Sequence, residues 1–98
     1  MKLVFDDLAL ADLEGIHDWI AKDNPKAALA VVQRLFESIE HLARFPQMGH
    51  TGRDERTLEW VVPRLPYIVI YEVHADRDEI IVVAVVHGAQ DRKGDRSA

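Results

Sequence analysis

The chain contains no cysteine, so it forms no disulfide, offers no thiolate nucleophile and binds no zinc through cysteine. It also lacks any apolar run near the roughly 18 residues needed to span a bilayer. Two acids stand among the first seven residues, where a secretory signal would carry a long apolar segment. We therefore expect a protein of a reducing cytoplasm that has no membrane association.

Basic residues are scarce: 12 lysines and arginines stand against 17 acids, which gives a net charge of −5. Proteins that bind nucleic acids through phosphates usually need a positive field, so direct, specific nucleic-acid binding is not expected. Only the Arg53/Arg56 segment and the C-terminal Arg92-Lys93 and Arg96 are locally basic. The five histidines have no spacing typical of a metal site, and we predict no metal and no organic cofactor.

Length and composition predict one domain over residues 1–98, because 98 residues with 48% apolar content suffice for a single core. No repeat, low-complexity segment or linker divides the chain. Residues 89–98 are expected to form a flexible tail.

The N-terminal half has apolar residues at alternating intervals of three and four, a pattern typical of amphipathic helices. It predicts two helices of roughly 16 and 20 residues that form an antiparallel hairpin. Asn24-Pro25 should start the second helix and Phe45-Pro46 should end it. Leu8 and Trp19 are expected to widen the buried stripe of the first helix. The two stripes comprise Ala9, Leu13, Ile16 and Ile20, and then Ala28, Val32, Leu35, Ile39 and Leu42.

The C-terminal half changes to a period of two, which predicts strands at Leu58–Pro63, Tyr67–Val73 and Ile80–His87. A β-prone run, Lys2–Phe5, precedes the helices. The predicted class is therefore α+β, with a two-helix hairpin packed on a small antiparallel sheet in the order βααβββ.

The helices can cover only one face of the sheet. Because successive side chains of a strand point to opposite faces and both sets are apolar here, a second apolar face remains that should not be in water. The N-terminal strand, the tail or a second copy could cover it, but a dedicated partner segment is the favoured explanation. This second face is predicted to carry Ile68, Ile70, Ile81, Val83 and Val85.

Few residues are candidates for chemistry. His87 ends the last strand, and a histidine side chain, whose unperturbed pKa is in general about 6.5, suits a general acid or base, although a strand-end histidine more often bonds the backbone. Tyr67 and Tyr71 share a strand face and are expected in the core. Neither serine lies in a nucleophile elbow.

Five stretches, in order and at similar spacing, resemble the RelE/ParE toxins of bacterial toxin–antitoxin modules, specifically the ParE or plasmid-stabilisation branch. The likeness covers about residues 3–92. The stretches are Ala11–Ile16 with Trp19-Ile20-Ala21, Asn24–Ala28, Leu42–Gly49, Pro66–Val73 and Ile81–Gly88.

The resemblance implies a cytoplasmic toxin bound by a cognate antitoxin, ParD-like or of another family, in a hetero-oligomer. RelE-like members cleave mRNA on the ribosome with a set of polar side chains, whereas ParE-like members are reported to act on DNA gyrase. Here Tyr67 stands where nuclease members tend to place arginine, and Gly88–Asp91 replaces their aromatic-rich end. His87 alone matches a nuclease-like position, so we predict a gyrase inhibitor without catalytic residues.

Contacts with the target are predicted at the basic segments, and the antitoxin is predicted to cover the second apolar face. One alternative is a ribosome-dependent mRNA endonuclease that uses His87, Glu59 and either Arg56 or Arg64. The other is a homologue that has lost toxicity and acts only as a co-repressor with its antitoxin. The predicted target contacts are Arg53, Arg56, Arg92, Lys93 and Arg96.

Overall fold

A computed structural model describes residues 1–88. Two helices and five strands follow one another in the order βααββββ. Their bounds are β1 (Lys2–Phe5), α1 (Asp7–Ala21), α2 (Pro25–Arg44), β2 (His50–Thr51), β3 (Leu58–Val61), β4 (Tyr67–His74) and β5 (Glu79–His87).

The two helices begin and end at local signals in the sequence, which confirms the predicted hairpin. The Asn24 side chain accepts a hydrogen bond of 3.1 Å from the Ala27 N–H, and Pro25 occupies the first helical position of α2. Phe45 ends α2 in a non-helical conformation, since Pro46 follows it. Asp6 is the N-cap of α1 but makes no side-chain capping bond.

The core lies between α2, the inner side of α1 and one face of the sheet. Leu35, Ile39 and Leu42 are completely buried, and so are Val69 and Tyr71 on the sheet. Each buried Leu or Ile side chain stabilises the fold by about 1.5–3 kcal/mol relative to leaving it in water. The two tyrosines were predicted in the core, and Tyr67 is indeed only 7% exposed.

The five strands form one sheet in the order β1-β5-β4-β3-β2. β1 pairs parallel with β5, while all other neighbours are antiparallel, so the sheet is mixed rather than purely antiparallel. The hairpin of helices carries the chain from one edge of the sheet towards the other. The two-residue strand β2 was not predicted, because two residues have no measurable period.

A β-bulge interrupts the pairing of β4 with β5. The register shifts between Ile70 and Tyr71, because β5 contains one more residue, Val83, than β4 does there. Beyond the bulge Val85 pairs with Val69 and lies in the core at 3% exposure. The prediction that Val85 belongs to the second apolar face was therefore wrong: strict alternation fails where one residue is inserted.

Tyr71 joins the sheet to the segment that leaves α2. Its hydroxyl donates a hydrogen bond of 2.8 Å to the Pro46 carbonyl and accepts one of 3.0 Å from the Gly49 N–H. A Cβ at Gly49 would lie 2.6 Å from the Tyr71 hydroxyl and 2.8 Å from the Glu59 carbonyl oxygen. Only glycine therefore lets the backbone approach the tyrosine this closely.

Candidate functional site

The sheet surface that points away from the helices, here called the open face, is the first candidate site. Its apolar members range from buried to exposed, and Val61 at its margin is 55% exposed. The pairing registers of β3, β4 and β5 decide which residues belong to it. They are Glu59 and Val61 of β3, Ile68, Ile70 and Glu72 of β4, and Glu79, Ile81, Ala84 and Val86 of β5.

The charged groups on the open face are mainly carboxylates. Glu59, Glu72 and Glu79 come from three neighbouring strands. Arg77 donates to His74 Nδ1 at 3.0 Å and lies 3.6 Å from Glu79, while His74 Nε2 and Glu72 Oε1 are 2.8 Å apart. Since a guanidinium only donates, His74 Nδ1 is the acceptor from Arg77, and the Nε2–H of His74 donates a hydrogen bond to Glu72. A phosphate group that approached this face would therefore meet several carboxylates and few unpaired cations.

The residues of the alternative nuclease set do not meet at one point. His87 pairs with Tyr67, with ring centroids 5.6 Å apart in an edge-on contact, on the side that faces the helices. Glu59 pairs with Ile70 and lies on the open face. Side chains on opposite faces cannot act on one phosphate, so this pair cannot serve as a joint acid and base.

The loop that carries Arg53 and Arg56 is balanced in charge, because Asp54 and Glu55 lie between them. The Arg56 side chain is 85% exposed, and its Nε lies 3.5 Å from Asp54 Oδ1. Hydrogen bonds from the backbone and side chain of Arg56 hold the pKa of the Asp54 carboxyl below its usual value. The Arg53 N–H donates to Glu59 Oε2 at 3.4 Å. The segment is therefore less basic than its two arginines suggest.

The other predicted cations lie elsewhere. Arg64 stands in the tight turn between β3 and β4, with a left-handed φ of 67°. That turn lies at the opposite end of β3 from the loop with Arg56. Arg92, Lys93 and Arg96 lie outside the described residues.

A second candidate site, which sequence reasoning missed, is a groove of about 680 Å³ between α1 and the end of β5. We call it the α1–β5 groove. Trp19 on its α1 side is 70% exposed, and Leu8 near the start of α1 is 61% exposed, so the expectation that they widen the buried stripe was wrong. The groove is lined by Ala11, Asp12, Gly15, Ile16, Trp19 and Ile20 of α1, and by Tyr67, Val85, Val86 and His87 of the sheet.

Asp12 fixes α1 against the sheet at the floor of this groove. β1 ends at Phe5, which pairs with Val82, so it leaves the following part of β5 without a strand neighbour on that side. There the Asp12 carboxylate accepts a hydrogen bond of 2.9 Å from the Val85 N–H. A helix side chain thus satisfies a backbone donor that a strand would otherwise take. Nothing local in the sequence indicates this contact, because 73 positions separate the two residues.

Two classes of site find no support among residues 1–88. None of the helices described there is long and apolar enough to cross a membrane. In the same part of the chain, no three histidine, aspartate or glutamate side chains are grouped closely enough to hold a metal ion.

Comparisons with known proteins agree with this architecture. Residues 3–92 match the family model described as the ParE toxin of type II toxin–antitoxin systems, parDE. The chain is 37% identical to the Y4kP protein of Sinorhizobium fredii over 82 residues, which cover 84% of this chain and 82% of that protein. It is 34% identical to toxin RelE2 of Caulobacter vibrioides over 83 residues, 84% of this chain and 89% of the relative.

A solved structure has the same fold. The chain aligns with a protein of the chromosomal ParDE toxin–antitoxin system of P. aeruginosa with a TM-score of 0.78 and 23% identity, over 89% of this chain and 95% of that one. The match confirms the predicted arrangement of a helix hairpin on a sheet. Together with the family match over nearly the whole chain, it leads to one conclusion: the chain belongs to the ParE toxin family of type II toxin–antitoxin systems, within the RelE/ParE superfamily.

Proposed function

We propose that this toxin inhibits growth by binding DNA gyrase, has no catalytic residues of its own, and is neutralised in the cytoplasm by a cognate antitoxin. The observation that carries the proposal is the separation of its polar groups. His87 faces the helices, whereas Glu59 lies on the open face. An mRNA endonuclease needs a base, an acid and a phosphate clamp that converge on one bond.

The charge of the open face supports the same proposal. Its carboxylates, Glu59, Glu72 and Glu79, would repel an RNA backbone, and the nearby Arg77 is engaged with His74 and Glu79. A binding protein without chemistry has no need for a cationic pocket. The ParE family match supports gyrase as the target, since ParE-like members are reported to act on that enzyme.

The apolar part of the open face supports an antitoxin partner in a hetero-oligomer, with a ParD-like or another antitoxin. Ile68, Ile70 and Ile81 lie close together there and are only half-buried. Val83, at the bulge, adjoins them, whereas Val85 belongs to the core. The protein of similar fold from P. aeruginosa belongs to a toxin–antitoxin system, which is consistent with such a partner here.

The contacts with gyrase remain assigned to the basic segments. Arg53 and Arg56 belong to a charge-balanced loop, so most of the net positive charge for this contact would come from Arg92, Lys93 and Arg96. Replacing these last three with alanine should weaken gyrase inhibition at least tenfold. The same variant should keep the melting temperature and antitoxin binding of the parent.

The test is a supercoiling assay with purified gyrase, relaxed plasmid and increasing amounts of the toxin. The expected result is loss of supercoiling together with accumulation of cleaved DNA held by gyrase. Unimpaired supercoiling at a tenfold molar excess of toxin over gyrase would refute the proposal.

A ribosome-dependent mRNA endonuclease is the second candidate, favoured by the 34% identity to toxin RelE2 and by the resemblance of His87 to a nuclease-like position in the sequence. It would be established by codon-phased mRNA cuts that disappear in His87→Ala. A third reading is a co-repressor without toxicity. Expression of the chain alone and together with its antitoxin separates that reading, because only a toxin arrests growth.

A further inference from the structure

We propose that Arg64, in the turn between β3 and β4, is an anchoring contact of the toxin with its target, and that the target offers it a carboxylate within an apolar protein surface. This inference rests on the proposed function in one respect, namely that the toxin acts by binding another protein. It adds a rigidly held arginine to a contact that was assigned above to the basic segments.

The turn Val62–Leu65, here called the Arg64 turn, has arginine where glycine is expected. The Leu65 N–H donates a hydrogen bond of 3.3 Å to the Val62 carbonyl, which closes a turn of four residues. Pro63 is the second residue of this turn, and Arg64, the third, has a φ of 67°. These are features of a type II turn, whose third residue is normally glycine or asparagine. Because a side chain with a Cβ is strained in this conformation, the fold alone does not account for arginine here.

Hydrogen bonds on both sides hold the Arg64 turn in place. The Val62 N–H donates to the Tyr67 carbonyl at 2.9 Å, and both residues are buried. The Gly88 N–H donates to the Pro66 carbonyl at 2.8 Å, which ties the end of β5 to the start of β4. Two prolines in the segment restrict its backbone further. A side chain presented by such a turn loses little backbone freedom when a partner binds it.

The guanidinium of Arg64 is available to a partner. Arg64 is exposed, and within residues 1–88 its guanidinium has no hydrogen bond or ion pair. Arg56 and Arg77, in contrast, each lie near a carboxylate. The strand segments around the turn, residues 60–71 and 80–88, contain no acid, and Arg64 is their only lysine or arginine. No carboxylate of these segments therefore competes with one that a partner brings.

The surroundings of the turn favour a protein surface over a nucleic acid. Val61 is 55% exposed, Pro63 is exposed and Leu65 is half-buried, so apolar residues flank Arg64 along the chain. Binding to a phosphate backbone needs several cations together, whereas the turn offers one. Arginine among apolar side chains is typical of protein interfaces, where it pairs with carboxylates.

The position of the turn relates it to the basic residues assigned to the target. Because the Gly88 N–H is bonded to the Pro66 carbonyl, the described part of the chain ends beside the Arg64 turn. A target that contacts the sequence continuing from there therefore approaches the end of the sheet where Arg64 stands. The basic residues of that sequence, which lie outside the described residues, are Arg92, Lys93 and Arg96.

Two substitutions of Arg64, with a matched control, test the contact. Arg64→Gln removes the charge and keeps the strain, whereas Arg64→Gly removes both. Arg34→Gln is the control, because Arg34 is also an exposed arginine but lies in the middle of α2. In biolayer interferometry against purified gyrase, both Arg64 variants should bind at least tenfold more weakly than the parent, and the control less than twofold. Equal affinity of the parent and Arg64→Gln would overturn the proposal.

Thermal unfolding separates a contact with the target from a structural role. Arg64→Gly should raise the melting temperature by about 2–8 °C, because relief of the strain outweighs the extra freedom of glycine in the unfolded chain. The variant should therefore be more stable than the parent and yet a weaker inhibitor. A lower melting temperature in Arg64→Gly would show that the arginine stabilises the turn, and would count against the assignment.

The same variants distinguish other partners of this surface. When the antitoxin encoded by the adjacent gene is co-expressed, Arg64→Gln should co-purify with it as well as the parent does. Loss of antitoxin binding with unchanged gyrase affinity would assign the turn to the antitoxin. Binding of the parent to duplex DNA alone, abolished in Arg64→Gln, would assign it to phosphate groups. Either result would refute a contact with a carboxylate of the target.

Growth arrest decides the role of Arg64 even if gyrase is not the target. Expressed without antitoxin and at equal protein levels, the parent and Arg34→Gln should arrest growth, whereas Arg64→Gly should not. If the parent arrests growth but leaves purified gyrase active, the proposed target is wrong, and loss of arrest in Arg64→Gly still supports a target contact. Equal arrest by the parent and Arg64→Gly, or no arrest by the parent, would contradict the inference.

Discussion

Removing the Tyr71 hydroxyl should destabilise the fold by detaching the segment after α2. In Tyr71→Phe the ring stays in the core, where Tyr71 is completely buried, and only the oxygen is lost. That oxygen donates to the Pro46 carbonyl at 2.8 Å and accepts from the Gly49 N–H at 3.0 Å. Both backbone groups are half-buried, so water can reach them only in part.

The expected loss follows from these two hydrogen bonds. A protein hydrogen bond contributes about 0.5–1.5 kcal/mol net, and more when its partner is left buried and unsatisfied. Two bonds to half-buried groups therefore give a loss of about 1–3 kcal/mol in the free energy of unfolding. For a domain of this size, each kcal/mol lowers the melting temperature by about 4–8 °C.

Urea unfolding followed by circular dichroism measures this change. Tyr67→Phe is the matched control, because Tyr67 is also buried in the core but no hydrogen bond of its hydroxyl is found within residues 1–88. The control should lose no more than about 0.5 kcal/mol, since its hydroxyl gives up no hydrogen bond to residues 1–88. Equal stability of Tyr71→Phe and the parent, or equal losses in the two variants, would refute the reasoning.

Three further predictions concern the core and the contacts of the sheet. Leu35→Ala should cost about 2–5 kcal/mol, because Leu35 is completely buried; an unchanged melting temperature would contradict its place in the core. Burial raises the pKa of Tyr67 and Tyr71, with a smaller opposing effect of the Gly49 hydrogen bond on Tyr71. Since the unfolded phenols ionise near pH ~10, stability should be complete below that pH and fall above it. Absorbance at 295 nm should then show both tyrosines ionising together with unfolding, and ionisation near pH ~10 in a folded chain would contradict this. Asp12→Ala should cost about 1–3 kcal/mol by leaving the Val85 N–H unsatisfied, and Asp12→Asn less; equal chemical stability of both variants and the parent would exclude that role.

The sequence predicts those parts of the fold that depend on local pattern. The apolar spacing of α2 and the Asn24-Pro25 start locate that helix, and Leu35, Ile39 and Leu42 are buried as the pattern indicates. The period of two in the C-terminal half identifies the strands β3, β4 and β5. These features depend on neighbours three or four residues apart in a helix, or two apart in a strand.

The features that the sequence does not predict depend on distant contacts. The bulge at Val83 reverses the side on which Val85 lies, and no local signal marks it in a run of β-branched residues. Trp19 satisfies the helical period but lies at the margin of the core, where periodicity alone cannot separate a buried side chain from an exposed one.

A single experiment can test whether the toxin, as proposed, acts by binding gyrase and not by cutting mRNA. One translating extract that contains gyrase, relaxed plasmid and a reporter mRNA can report both activities on addition of the purified toxin. Gel analysis follows plasmid supercoiling, and mapping of RNA 5′ ends follows cleavage. We expect that supercoiling stops while the mRNA keeps the ends found without toxin. Codon-phased cuts in the mRNA while supercoiling continues would contradict it.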